Sequence, residues 1–140
     1  MTTHLDTIVV GVDGSKDADA AVRWSFDLAR RVGAEVVLVQ ALGLLQHQER
    51  DVVVAALEGT ARRLGLDCNF DIERIRWRVD DGDPCSVLLR ATSGTTGADL
   101  LVVGSRGQGA HSGLLLGSTS LELAEHSTCP IVIVPSENFS

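Results

Sequence analysis

The chain has 140 residues, of which 44% are hydrophobic and 4% aromatic, and its formal net charge is −7. This length is enough for one compact domain with its own core and too short for two ordinary ones, so we expect a single domain over residues 1–140. One lysine and eleven arginines, with no basic block among them, exclude an electrostatic surface for nucleic acid.

Membrane insertion and secretion are not expected either. No run of residues approaches the apolar length of a membrane helix, and the first residues lack a basic region before their apolar segment. We therefore expect a cytoplasmic protein without a membrane partner.

The cysteines and histidines do not form a metal-binding pattern. Three cysteines, widely spaced and without a CxxC motif, predict reduced thiols. The one close pair, His126 and Cys129, supplies two ligands where a structural zinc site needs four. We expect no metal held by protein ligands alone.

The chain opens with a continuous apolar strand over residues 7–13, followed by a helix. Ser15 is placed to cap this helix and Gly33 to end it, with acidic residues in the first turn and basic residues in the last. The predicted core face of the helix consists of Ala21, Trp24 or Ser25, Leu28 and Val32.

The remaining elements continue the alternation. The pattern predicts strands over residues 34–42, 70–83, 99–105 and 129–135, with helices over 46–64, from Asp83 and Pro84, and over 119–126. Residues 70–83 alternate polar and apolar side chains, which is typical of a strand near a sheet edge.

Five strands alternating with four helices predict an α/β fold, a doubly wound and mainly parallel sheet with helices on both faces. Such sheets bind ligands beyond the carboxyl ends of their strands, where the strand order reverses. The ends of the first, second and fourth strands are therefore the candidate binding positions.

A glycine-rich segment, "LLVVGSRGQGAHSGLLLGSTSLEL" over residues 100–123, crosses from the fourth strand to a helix at this edge. Glycines let the backbone approach a ligand closely, and free amides at a helix N-terminus attract anions, so the candidate ligand is a phosphate group. Neither GxxxxGK[ST] nor GxGxxG is present at the places those motifs require.

The hydroxyl residues after the last glycine have two interpretations. Thr119 and Glu122 have the spacing of a capping box, which would explain a hydroxyl without any ligand. Ser118 is the better candidate for a phosphate oxygen or for a Mg²⁺ ion carried by the ligand. Arg106 fits contact with a triphosphate and a solvated loop position equally well.

Gly104, Gly107, Gly117 and Ser118 follow the spacing G-x2-G-x9-G-[ST], and this resembles the ATP-binding pattern of the universal stress protein family. The segments "IVVGVDGS", "ADLLVVGSRG" and "CPIVIVP" are similar to that family's first, fourth and fifth strands. The resemblance runs nearly end to end and implies a Rossmann-like fold of the HUP type.

The resemblance also implies a binding site for ATP, with Mg²⁺ held through its phosphates. Asp13 would reach the adenine, Ala41 would line the base, and Val103 to Gly109 would wrap the ribose and phosphates. Ala41 replaces a larger aliphatic residue common in relatives, which predicts a looser adenine pocket. The full set of implied binding residues is Gly11, Asp13, Ala41, Val103, Gly104, Ser105, Arg106, Gly107, Gly109, Gly113, Gly117, Ser118, Thr119 and Ser120.

Several function classes remain open from the sequence. We favour an ATP-binding stress-response regulator that works as a dimeric switch, paired through the strand within residues 130–135. The alternatives are a slow ATP hydrolase with His111 or Asp13 as the general base, an electron-transfer module that binds FAD or AMP, and a nucleotide-free interaction protein on the same fold.

Overall fold

The computed structural model describes residues 5–43, 49–94, 97–105 and 118–135. Within these ranges the strands and helices alternate as the sequence predicts. They are β1 (Thr7–Val12), α1 (Lys16–Val32), β2 (Glu35–Leu42), α2 (Arg50–Asp67), β3 (Ile75–Asp81), α3 (Pro84–Thr92), β4 (Leu100–Gly104), α4 (Ser118–His126) and β5 (Ile131–Val134).

The five strands form one sheet in the order β3-β2-β1-β4-β5, and all four neighbouring pairs are parallel. This confirms the doubly wound α/β fold and the edge position of β3. Chain order runs outward from β1 to β3 on one side and from β4 to β5 on the other, so the strand order reverses between β1 and β4. That crevice is where such sheets bind ligands.

Two apolar layers cover the sheet. On one face, α1 and α2 pack against the alternate residues Ile8, Val10, Val36 and Leu38, and Phe26 of α1 stacks on Phe70 with ring centroids 4.9 Å apart. On the other face, α3 and α4 pack against Val9, Val39, Leu101 and Val103. Since both faces are covered, the strands are nearly continuous in valine, isoleucine and leucine.

The helix α1 begins and ends as predicted, and its buried face departs from the prediction only near its C-terminus. Ser15 accepts a hydrogen bond from the Ala18 N–H at 3.2 Å, and Gly33 closes the helix in the left-handed region with φ 77°. Of the two predicted alternatives Trp24 and Ser25, Ser25 is buried and Trp24 is 39% exposed. Val32 is 45% exposed, so its predicted burial is wrong. The buried side combines mostly small residues with the large ring of Phe26: Ala18, Ala21, Val22, Ser25, Phe26 and Ala29.

Predicted boundaries shift at α2 and β3. The helix α2 begins at Arg50 and continues to Asp67, beyond the predicted end at residue 64. Ile72 does not belong to β3, because the Asp71 carboxylate accepts the Glu73 N–H at 3.0 Å and closes a short 3₁₀ turn over Ile72–Arg74. The strand therefore begins only at Ile75.

The helix α3 starts as predicted, whereas the predicted capping box of α4 is wrong. Asp83 precedes Pro84 and accepts the Ser86 N–H at 3.0 Å, and this hydrogen bond lowers the pKa of the Asp83 carboxyl. The helix α4 begins one residue early, at Ser118, which places Thr119 inside its first turn. The Glu122 carboxylate lies against the Cys85 thiol of α3 instead.

Gly104, the last residue of β4, allows the first turn of α1 to approach the sheet. A Cβ atom at this position would lie 2.8 Å from the backbone oxygen of Asp17, closer than real carbon contacts allow. The crevice between β1 and β4 therefore depends on a residue without a side chain. No helix in the described ranges has the length and apolar character needed to cross a bilayer.

We expect Gly104→Ala to lower the free energy of unfolding by about 1 to 3 kcal/mol, because the added methyl group collides with rigid backbone. Gly59→Ala is the matched control, since Gly59 is an exposed residue inside α2 with nothing within 4 Å of its virtual Cβ. It should raise the stability by about 0.5 to 1 kcal/mol through helix propensity. Urea denaturation of both variants measures the difference, and equal effects would contradict the steric argument.

Candidate functional site

The candidate site lies at the carboxyl edge of the sheet, beside β1 and β4. Asp13 follows β1 directly, Ser105 follows β4, and the N-terminus of α4 lies nearby because Ser120 contacts Gly104. The parallel pairing of β1 with β4 brings the first two together, although they are far apart in the sequence. The structure therefore joins three predicted segments at one crevice.

Asp13 is held in a turn at the start of α1. Its Oδ1 accepts the N–H of Ser15 at 2.9 Å, and the chain passes through Gly14 with φ 85°. The side chain is half-buried. Positive φ is costly for residues with a Cβ, so Gly14 permits the turn that orients the Asp13 carboxylate at the mouth of the crevice.

Gly11 has a structural explanation that does not require a ligand. A Cβ atom here would lie 2.7 Å from Cδ1 of Leu88 and 3.2 Å from Cγ1 of Val103. Both side chains belong to the buried layer between the sheet and α3. Gly11 therefore lets α3 pack closely on β1, inside the fold.

The end of β4 contributes mainly its backbone. Val103 is buried in the layer under α3, and Ser105 is buried with its N–H donating to the Val134 oxygen at 2.9 Å. Gly104 lies between them, against the first turn of α1. A ligand in the crevice would meet the main chain here more than side chains.

The three hydroxyl residues at the start of α4 differ in environment. Ser118 is exposed and Thr119 is half-buried, whereas Ser120 is 4% exposed and its Oγ donates a hydrogen bond of 2.8 Å to the carbonyl oxygen of Gly104. Ser120 thus fastens α4 to β4 from inside the protein. Ser118 has the accessibility that a ligand contact requires.

Ala41 lies on β2, one strand away from the crevice, in register with Asp80 of β3. It is half-buried against the layer under α3. The remaining predicted residues, Arg106, Gly107, Gly109, Gly113 and Gly117, lie outside the described residues, as does the candidate base His111.

The Cys85 thiol, which is buried in the layer under α3, is not activated as a nucleophile. Burial raises the pKa of Cys85, and the adjacent Glu122 carboxylate raises it further. The thiol therefore stays protonated at neutral pH. All three cysteines are unpaired, and the described ranges contain no cluster of three or more potential metal ligands.

Comparison with known proteins gives consistent results. Residues 4–135 match the model of the universal stress protein family. A universal stress protein of Mycolicibacterium smegmatis is 29% identical over 136 residues, and a family protein of Staphylococcus saprophyticus is 24% identical over 140 residues. The alignments cover 91% and 94% of this chain, but 45% of the mycobacterial protein and 84% of the staphylococcal one.

A solved universal stress protein in complex with cAMP has the same fold. It superposes with a TM-score of 0.76 at 28% sequence identity, covering 96% of this chain and all of that one. The family match spans all of the residues described above. The chain belongs to the universal stress protein family.

Proposed function

We propose that this protein binds ATP, with Mg²⁺ held through the phosphates, and that the bound nucleotide controls what a dimer of the protein contacts. The observation that carries the proposal is the meeting of Asp13, Gly104 and the start of α4 at the point where strand order reverses. A polar crevice at this point, bordered by two helix N-termini, suits an anionic nucleotide.

The phosphate end of the proposed site is supported by α4. Its first turn presents backbone N–H groups at the positive end of the helix dipole, and the exposed hydroxyl of Ser118 lies in that turn. Ser120 holds the turn against β4, so these groups are oriented before a ligand arrives. The protein then loses less conformational entropy when the ligand binds.

The base end is supported by Asp13 and Ala41. A carboxylate accepts hydrogen bonds from an exocyclic amino group, and the Asp13 side chain is already fixed by its bond to Ser15. Ala41 is small, so the space beside β2 admits an adenine with little steric selection. Base preference would then depend on hydrogen bonding to Asp13.

A second candidate ligand is cAMP. The observation that favours it is the solved relative in complex with cAMP, at 28% identity. A cyclic monophosphate would place one negative charge at the N-terminus of α4, whereas ATP would place several there together with Mg²⁺. Competition between the two nucleotides separates the candidates.

A binding role is better supported than an enzymatic one. Fast phosphate transfer needs a base beside the attacking oxygen, and Asp13 already accepts the Ser15 N–H. The Cys85 thiol stays protonated. We propose a nucleotide that is held, with hydrolysis at most slow. If the ligand is ATP rather than FAD, the purified protein should be colourless.

The dimer is proposed through β5, since the two sheet edges differ. On the β3 edge, Arg50 of α2 covers the strand by donating to the Val79 carbonyl oxygen. On the β5 edge, the Leu101 and Ser105 N–H groups bond to Pro130 and Val134, so by alternation the backbone groups of Ile131 and Ile133 face outward. An edge with unpaired backbone groups and partly exposed isoleucines is suited to pairing with a second copy.

Ser118→Ala should weaken binding of ATP with Mg²⁺ about tenfold, since one hydrogen bond to a charged ligand is lost. Isothermal titration calorimetry measures this directly, with ADP, AMP and cAMP titrated in parallel. Ser93→Ala is the control, because Ser93 is an exposed serine at the opposite edge of the sheet. No saturable ATP binding by the native protein would refute the proposal, and tighter binding of cAMP would select the second candidate.

Ile133→Pro should convert the dimer to a monomer, because proline removes an outward N–H without breaking a bond to β4. Ile133→Ala loses the same half-buried side chain but keeps the N–H, and it should remain dimeric. Sedimentation velocity gives the mass of each, and circular dichroism checks the fold. A monomeric native protein, or a dimeric proline variant, would rule out pairing through this edge.

A further inference from the structure

An open pocket of about 380 Å³ lies at the carboxyl end of β3, separate from the crevice between β1 and β4. Three elements contribute to it, namely the start of α2, the end of β3 and the helix α3. Its lining is almost entirely charged and consists of Arg50, Arg78, Val79, Asp80, Asp81 and Arg90.

The fold holds the three guanidinium groups at this one place. Arg50 donates from Nη2 to the Asp81 carboxylate at 2.6 Å, and Arg90 donates from Nη2 to the backbone oxygen of Asp81 at 2.9 Å. Arg78 pairs with Asp80 at 2.8 Å on the same strand. Asp81 thus joins an arginine from each face of the sheet, and Arg78 lies two residues before Asp80.

Positive groups outnumber negative groups in the lining of the pocket. Three arginines and two aspartates line it, a surplus of one positive charge within the lining, in a chain whose net charge is −7. The Asp83 carboxylate, which lies outside the lining, also interacts with Arg90. Arginine does not deprotonate in proteins, so the surplus persists at every physiological pH. An anion that enters the pocket would relieve repulsion between the guanidinium groups.

The existing ion pairs do not prevent such binding. The side chains of Arg50 and Asp81 are 44% and 67% exposed, and those of Arg78 and Asp80 are 49% and 34% exposed. Exposed pairs of this kind contribute little to stability, and each guanidinium has five N–H donors in a fork that fits a phosphate group. Donors and space are therefore both available beside the two carboxylates.

We propose that this pocket is a second ligand site, for a phosphate group with at least two negative charges, either free or carried on a small molecule. Arg78 and Arg90 would bind it from the α3 side, and Arg50 from the α2 side. The pocket has none of its lining residues in common with the proposed nucleotide site, although Ala41 of that site is in register with Asp80 on the neighbouring strand.

The test is a titration of ¹⁵N-labelled protein with inorganic pyrophosphate, followed through backbone amide shifts. We expect saturable shifts at Asp80 and Asp81, which end β3, and at Gly82, which follows it. Shifts confined to Ser105 and Ser118 would show that pyrophosphate binds only in the nucleotide crevice, and would overturn the proposal. Failure of ATP to bind would leave the shifts at Asp80 to Gly82 unaffected, so the two proposals fail separately.

Two substitutions should act in opposite directions. Arg78→Gln removes one cation and should weaken pyrophosphate binding about tenfold, whereas Asp80→Asn frees Arg78 from its partner and should strengthen it severalfold. Arg31→Gln and Asp27→Asn make the same changes in an ion pair at the far end of α1, and should leave the affinity unchanged. If the pocket and control variants change the affinity for pyrophosphate equally, the binding is nonspecific electrostatic attraction and the proposal is overturned.

Inorganic phosphate and ribose 5-phosphate distinguish the two sources of the ligand. Equal affinity for inorganic phosphate and ribose 5-phosphate indicates a site for the free anion. Tighter binding of ribose 5-phosphate indicates a site for a phosphorylated small molecule. If neither shifts the amides of Asp80 to Gly82 at millimolar concentration, and pyrophosphate also fails, the pocket is not a phosphate site.

Discussion

The end of β4 is fixed from two sides, and the candidate site depends on this constraint. On one side the first turn of α1 lies so close to Gly104 that a methyl group does not fit, and on the other Ser120 of α4 donates to the Gly104 carbonyl oxygen. A buried hydrogen bond of this kind contributes about 1 kcal/mol. Its larger effect is positional, because it sets where two helix N-termini meet the strand.

This constraint explains why the residues predicted to bind the ligand have different roles in the structure. Gly104 and Ser120 build the crevice, and Gly11 admits Leu88 into the layer beneath it. Asp13 and Ser118 have polar groups at the surface of the crevice, where a ligand can reach them. A substitution of Gly104, Ser120 or Gly11 therefore changes the stability of the fold as well as ligand binding. A substitution of Ser118 tests ligand binding more directly.

Local signals in the sequence predicted the fold well. Features that depend on contacts between distant segments could not be predicted from it. Ser15, Gly33 and Asp83 end or begin helices through bonds within a few residues, so their roles were readable. The choice between Trp24 and Ser25 for the core, and the exposure of Val32, were not readable, because both depend on how α1 lies on the sheet. The Ser120 bond was missed for the same reason, since a hydroxyl that serves a ligand and one that serves a carbonyl 16 residues away have the same sequence pattern.

The position of Arg50 at β3 has two physical consequences, protection of the strand edge and a cluster of guanidinium groups. An edge strand must protect its outward backbone groups, and Arg50 does so by donating to Val79. Bringing a guanidinium to that edge places it beside Arg78 and Arg90, with Asp80 and Asp81 too few to balance them. Edge protection at β3 thus gathers positively charged side chains on an acidic protein, whereas the outward backbone groups of β5 have no such cover among the described residues. We therefore propose different partners for the two edges of the sheet, an anion at β3 and a second copy of the protein at β5.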